Sequence, residues 1–395
     1  MRSFGLFLPG NFEDAYIYMG RLLILTAERS LRFYDIEKIV GGIEEQMPQF
    51  QPLFTYLFTR NDWLASTQFK SLLKNHEFLN TFLSIFHQAS KEPYFEIKEN
   101  PKHLQFEFEL GIPANVLLDM AVYNQRLYFG ADTGLYHLDA VMESEYVQVP
   151  NAPVKRHDGR SMNTSAGYGS INVSCGNDGL FSGFDEFGWI TKDGKRPLSR
   201  TAEKSVRTAW SGQDLINYLT ATTPILLTGV HEKSTSKGLE TEKTVLTNIG
   251  AEKIDLDYLF EKIFAVEMEE LASIRYIYNS NNVFFIYTTQ GDLFTIGVGK
   301  RGQDITVQYT RVHKNEQANT RILSMHPTNV GLVLETDDQI LLFANGNFLP
   351  IINSSVLSVR TFMRSKRYKN IVAITREDGV LVTSFFEENV YIDEE

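Results

Sequence analysis

VYNQRLYFGADTGLYHLD, residues Val122–Asp139, reads as two short β-strands around a tight turn. Leu127, Tyr128 and Phe129 make one strand body, and Leu135, Tyr136 and Leu138 make the returning strand. Asp132-Thr133-Gly134 is the turn between them. Aromatic and branched side chains fit a pleated, half-buried surface, whereas Gly, Asp and Asn tolerate the positive φ of a hairpin. The same pattern returns along the chain, so the unit repeats.

Aligned on the first apolar residue after the turn, seven copies have anchors Leu31, Leu135, Leu180, Ile225, Leu293, Ile340 and Val380. Successive anchors lie 104, 45, 45, 68, 47 and 40 residues apart. A period of about 40–50 residues suits one four-stranded propeller blade. Further apolar stretches flank the hairpins, such as Ile274–Tyr278 before one and Phe348–Ile352 after another. Four strands per unit follow. A lone four-stranded sheet cannot cover both its faces, and stacking such sheets around an axis does. The expected fold is therefore all-β, a seven-bladed β-propeller, with 1–395 as one domain. Either Ser3–Leu8 or Val390-Tyr391-Ile392 would close it, with both termini meeting at one blade.

LYFGADTGLYHLD and VSCGNDGLFSGFD resemble β-propeller repeats of the broad type that includes the sensor propellers of bacterial regulators and the WD-repeat superfamily. The Trp-Asp and double-glycine signatures are absent from the repeats. The resemblance implies a platform for binding, sensing or catalysis, and does not select among them.

Two gaps exceed the period. The first holds Phe54, Leu57 and Phe58, then Phe69, Leu72 and Leu73, then Leu79, Phe82, Leu83 and Phe86 at helical spacing. A helical insertion is expected over 52–90, after the first blade, with Asn61-Asp62 as an N-cap and Asn75 as a break or second cap. In the second gap, HEKSTSKGLETE reads as a long exposed loop, and Leu256, Leu259, Phe260, Ile263 and Phe264 suggest a short helix. Together they give a second insertion over 231–271.

The formal net charge of −11 disfavours general affinity for nucleic acid or anionic lipid, because phosphate binding needs a positive field. No run approaches the ~18 apolar residues of a membrane span, and no signal-peptide core is evident, so no membrane association is expected. A single cysteine, Cys175, cannot form an internal disulfide, which favours a reducing, cytoplasmic setting. Gly297-Val298-Gly299-Lys300-Arg301-Gly302 matches a dinucleotide motif, but Ile305–Tyr309 beyond it reads as a strand, not the helix that would hold a pyrophosphate. The eight histidines lack helical metal spacing, and Cys175 has no identifiable base. No cofactor, metal or catalytic residue is assigned.

Three functional classes remain. The first is a non-catalytic interaction scaffold or accessory subunit of a cytoplasmic complex, with another protein as partner. Phe54, Phe58, Trp63, Phe69, Phe82 and Phe86 of the insertion would contact that partner, with the blade loops. The second is an enzyme or small-ligand binder using the channel mouth. The third is a nucleic-acid-associated subunit using two basic clusters. These are Lys155, Arg156 and Arg160, between copies two and three, and Arg364, Lys366, Arg367 and Lys369, where Tyr368 could stack on a base.

Overall fold

The computed structural model describes residues 2–92, 94–98, 102–143, 145–184, 198–212, 214–227, 229–236, 239–246, 252–253, 274–301, 304–314 and 321–387. It is a seven-bladed β-propeller, and each blade is a four-stranded antiparallel meander. Blade one is built from Phe12–Tyr18, Arg21–Thr26, Ser30–Asp35 and Leu104–Glu109. Blade two comprises Leu117–Tyr123, Arg126–Ala131, Gly134–Asp139 and Val154–Asp158. Blade three follows with Asn163–Gly167, Ser170–Ser174, Leu180–Phe184 and Ser199–Ala202. Blade four uses Arg207–Ser211, Asp214–Thr220, Thr223–Leu227 and Glu252–Lys253. Ile274–Ser280, Val283–Thr288, Asp292–Arg301 and Asp304–Lys314 make blade five. Ile322–Pro327, Leu332–Thr336, Ile340–Ala344 and Asn347–Ile352 make blade six. Blade seven has Ser358–Thr361, Ile371–Arg376 and Gly379–Phe386, and its fourth strand is the N-terminal Arg2–Pro9. All seven sequence anchors fall near the start of a third strand.

Closure uses the N-terminal strand. Arg2 pairs with Phe386 and Pro9 with Gly379, in unbroken antiparallel register. Residues 390–392, the other candidate, lie outside the described residues. A fifth strand, Tyr94–Glu96, joins Arg2–Pro9 in parallel as the chain returns from its insertion.

The chain divides into two compact units. One contains Met1–Leu110, Val141–Gln148 and Leu323–Glu395, and so blades one, six and seven. The other contains Gly111–Ala140 and Val149–Ile322, and so blades two to five. Within the second unit, Tyr128, Leu135, Ile171 and Val173 pack blade two on blade three. Ile216, Tyr218, Ile277 and Ile286 pack blade four on blade five.

The helical stretch lies between the third and fourth strands of blade one. Helix α1 (Ile36–Gln46) starts earlier than the aromatic spacing suggests, because Asp35 ends a strand and caps the helix, accepting from Glu37 N and Lys38 N. Ile36, Ile39, Val40 and Ile43 form its buried face. After a short helix α2 (Gln51–Phe54) and irregular turns, α3 (Thr67–Leu73) is capped by Ser66, whose Oγ accepts from Phe69 N at 3.1 Å. Asn75 caps α4 (His76–Ala89), as expected. Asn61 is not a cap: its amide donates to Leu57 O at 3.1 Å and to Ser384 Oγ at 3.3 Å, tying the insertion to blade seven.

The polar stretch after blade four's third strand is a hairpin, Gly229–Ser236 paired with Leu239–Leu246, where a loop was expected. Its few apolar residues, Val230, Leu239, Val245 and Leu246, do not alternate with polar ones, so no strand pattern was legible in the sequence. The helix expected over 254–271 falls outside the described residues.

Candidate functional site

The insertion's aromatics meet blade seven. Phe54, Phe58, Phe69, Phe82 and Phe86 are all buried, in one cluster with Phe4 and Phe386 of that blade. Phe82 stands edge-on to Phe386 at 5.3 Å, and Phe4 to Phe54 at 5.7 Å. These five rings are therefore the insertion's core, and they are not open to a partner. Helical spacing shows which residues share a face but not what that face covers.

Trp63 differs. It is 42% exposed, and the Arg60 guanidinium lies 4.1 Å from its ring centroid. Tyr56 flanks it at 6.1 Å, and Asp62 Oδ1 stands 3.6 Å from Arg60 Nε. The cation on the ring's electron-rich face holds the indole in place. Leu72 of α3 is also exposed.

A second arrangement lies on the first strands of blades one, six and seven and on the second strand of blade six. Asp14 accepts from Arg360 Nη2 at 2.6 Å and from Ser358 Oγ at 2.7 Å. In blade six the Ser324 hydroxyl donates to Glu335 and also meets His326 Nε2. Burial alone would raise the Glu335 carboxyl pKa. Hydrogen bonds from His326 and Ser324, with the charges of His326 and Arg360, outweigh burial and hold it below the ordinary carboxylate range. The serine sits between the acid and the imidazole, whereas in a nucleophilic triad the imidazole sits between the serine, whose proton it accepts, and an acid that stays ionised and orients the ring. Sequence reasoning left His326 among scattered histidines. The signal available was the Ser-x-His alternation, which puts both side chains on one strand face.

Lys155 and Arg156 lie on the fourth strand of blade two, where a linker was expected. Lys155 pairs with Asp158 at 2.6 Å, and Arg160 is exposed beyond the strand. Arg156 is half-buried, and after burial itself its positive charge is the next cause that lowers the His137 pKa. Arg364, Lys366 and Arg367 are exposed in the connection between the first two strands of blade seven, with Lys369 half-exposed. Tyr368 points inward: it is buried, and its hydroxyl oxygen accepts from Gly20 N at 2.7 Å. It offers no face to a base.

Cys175 is buried, and burial pushes its thiol up to about 11, the opposite of an activated thiolate. The Gly297–Arg301 part of the glycine motif continues a strand paired with Asp304–Lys314. Among the described residues no group of three or more His, Cys, Asp or Glu could hold a metal ion. No helix of the described residues is long and apolar enough to cross a membrane.

No protein-family model matches the chain, and no curated protein matches it in sequence. Among solved structures it is similar to the computationally designed Ika8 protein, at 8% identity and TM-score 0.44, covering 96% of this chain and 99% of that one. It is similar to the WD40 β-propeller domain of Doa1, at 10% identity and TM-score 0.44, covering 98% and 97%. A third is the Neurospora crassa Pan2 WD40 domain, at 10% identity and TM-score 0.43, covering 95% and 89%. Function in such folds is carried by particular side chains, not by the backbone.

Proposed function

We propose that the chain is a non-catalytic protein-interaction scaffold, an accessory subunit of a cytoplasmic complex. It docks through the outer face of its helical insertion, assisted by blade loops. Trp63 carries this reading. A large indole is kept exposed, under Arg60 and beside Tyr56, on an insertion whose Phe54, Phe58, Phe69, Phe82 and Phe86 are buried in a cluster shared with blade seven. Trp, Tyr and Arg are the residue types that dominate binding energy at protein interfaces, and a pre-set side chain loses less entropy on binding. The cytoplasmic setting rests on the buried, unpaired Cys175.

The test is Trp63→Ala in the full chain, compared with wild type by quantitative co-purification from the native host and by thermal melting. Exposure predicts a melting temperature close to wild type. A partner recovered at least roughly tenfold less with the variant supports docking at Trp63. Recovery of every partner at wild-type level would sink this reading.

The Ser324–His326–Glu335 cluster favours a second reading, a small-ligand binder that uses the first two strands of blade six. Substituting Glu335→Gln separates the two, since it should spare a protein partner held at Trp63.

A further inference from the structure

The connections between first and second strands of blades one, six and seven come together. Gly20 N, in the blade-one turn, donates to Tyr368 Oη at 2.7 Å. Asn329 N, in the blade-six turn, donates to Lys369 O at 3.0 Å. The longest connection, FMRSKRYKN over Phe362–Asn370, carries four cations and no carboxylate, in a chain of net charge −11.

This loop is held in shape from within. Phe362 and Tyr368 are buried, and Phe362 stands edge-on to Tyr16 at 5.2 Å. Ser365 N donates to Phe362 O at 2.8 Å, and Arg367 N donates to Ser365 Oγ at 3.2 Å. Pinning the two rings directs Arg364, Lys366 and Arg367 outward. Next to Gly20, Met19 is 48% exposed at the tip of the blade-one turn, with φ +47. Glu37, at the start of α1, is the carboxylate whose charge reaches Tyr368.

We propose that this edge of blades one and seven is a docking surface for an acidic protein segment bearing apolar side chains. Carboxylates of the segment meet Arg364, Lys366 and Arg367, and an apolar side chain covers Met19. Charge complementarity sets encounter rate and orientation, and the flexible thioether supplies an adaptable apolar contact. A loop fixed by its own buried rings loses little entropy on binding. Nucleic acid fits less well. Single strands are held by stacking bases on aromatic faces, and the one aromatic among these cations, Tyr368, is turned into the core. This surface lies apart from Trp63 in sequence and is tested independently of it.

The experiment is fluorescence anisotropy on the full chain with three labelled probes: a peptide alternating glutamate and leucine, a polyglutamate peptide, and oligodeoxythymidine. Saturable, salt-weakened binding of the Glu/Leu peptide is expected, tighter than polyglutamate. Arg364→Glu/Lys366→Glu/Arg367→Glu should weaken it roughly tenfold or more, and Met19→Ser several-fold with the salt dependence kept. If the triple variant fails to fold, Lys366→Glu alone should still weaken binding. No saturable binding to wild type, binding unchanged by the charge reversals, or preference for oligodeoxythymidine would each overturn the proposal.

Discussion

The carboxylate of Asp14 grips the guanidinium of Arg360 with two hydrogen bonds, from Nη2 at 2.6 Å and from Nε at 3.1 Å. The pair joins the first strand of blade one to that of blade seven, 346 residues away in sequence. Only 9% of the Asp14 side chain and 21% of Arg360 remain exposed, so water screens the contact weakly. Asp14→Ala strands a partly buried cation, and we expect a loss of about 2–4 kcal/mol in urea unfolding. Asp14→Ala/Arg360→Met should cost less than the two single losses added together, because the second change removes the stranded charge. Additive losses would mean that the two residues do not act as a pair.

Turn glycines give a sharper steric test. A Cβ at Gly134 would lie 2.3 Å from His157 O, one at Gly179 would lie 2.3 Å from Ala202 O, and one at Gly379 would lie 2.3 Å from Leu8 O. In these three blades the glycine at the entry to the third strand runs against the fourth strand's backbone, with φ of +150, +115 and +157. Alanine at any of the three should cost about 1–3 kcal/mol. Gly41, inside α1, has nothing within 4 Å of a Cβ, so Gly41→Ala should instead stabilise by about 0.5–1 kcal/mol. Thermal melts of the four variants should fall on opposite sides of wild type. Three unchanged turn variants would disprove the steric reading.

The repeat was legible because hairpin chemistry is local. Even copies without a turn glycine found a substitute: Arg29 takes φ +66, and Thr336 Oγ1 accepts from Gln339 N at 3.0 Å. The start of the insertion was missed because Asp35 serves both as the end of a strand and as a helix cap. Aromatic spacing located the later helices but did not indicate that Phe82 and Phe86 would cover Phe386. Nothing in sequence order links Asp14 to Arg360, or shows that Tyr368 turns inward while its neighbours stay out. Those relations exist only after the blades close.

Acid should weaken the fold first through histidines. His103, His137 and His157 are each held below the usual histidine pKa, in every case chiefly by burial. A depressed folded-state value means that the unfolded chain takes up the proton first. Their contribution is therefore complete above the unfolded value of about 6.5 and is lost as pH falls through the folded values. Glu335 is also depressed, but its contribution fades only below about 4.3. Melting temperature should therefore decline between pH 7 and pH 5, and His137→Gln should flatten that decline. An equal slope in the variant would remove His137 from the account.

Contact between the insertion and blade seven predicts two opposite outcomes within one segment. Phe86 is fully buried, lies 6.2 Å from Phe386 and shares its cluster with Phe82. Phe86→Ala should leave a cavity costing about 3–5 kcal/mol, because the rings beside it, Phe82 of the insertion and Phe386 of blade seven, are themselves packed in the cluster and cannot collapse into the space. Replacing 52–90 by a Gly/Ser bridge would uncover Phe4 and Phe386 together and take away Asn61's bond to Ser384, so the shortened chain should melt well below wild type. Trp63→Ala removes an exposed ring and should shift stability by about 0.5 kcal/mol or less. Circular dichroism melts of the three, run beside wild type, decide the matter. A shortened chain that melts like wild type would mean that the aromatic contact contributes nothing to the blade. Partner loss caused by Trp63→Ala could then be checked against the deletion itself, without instability as a competing cause.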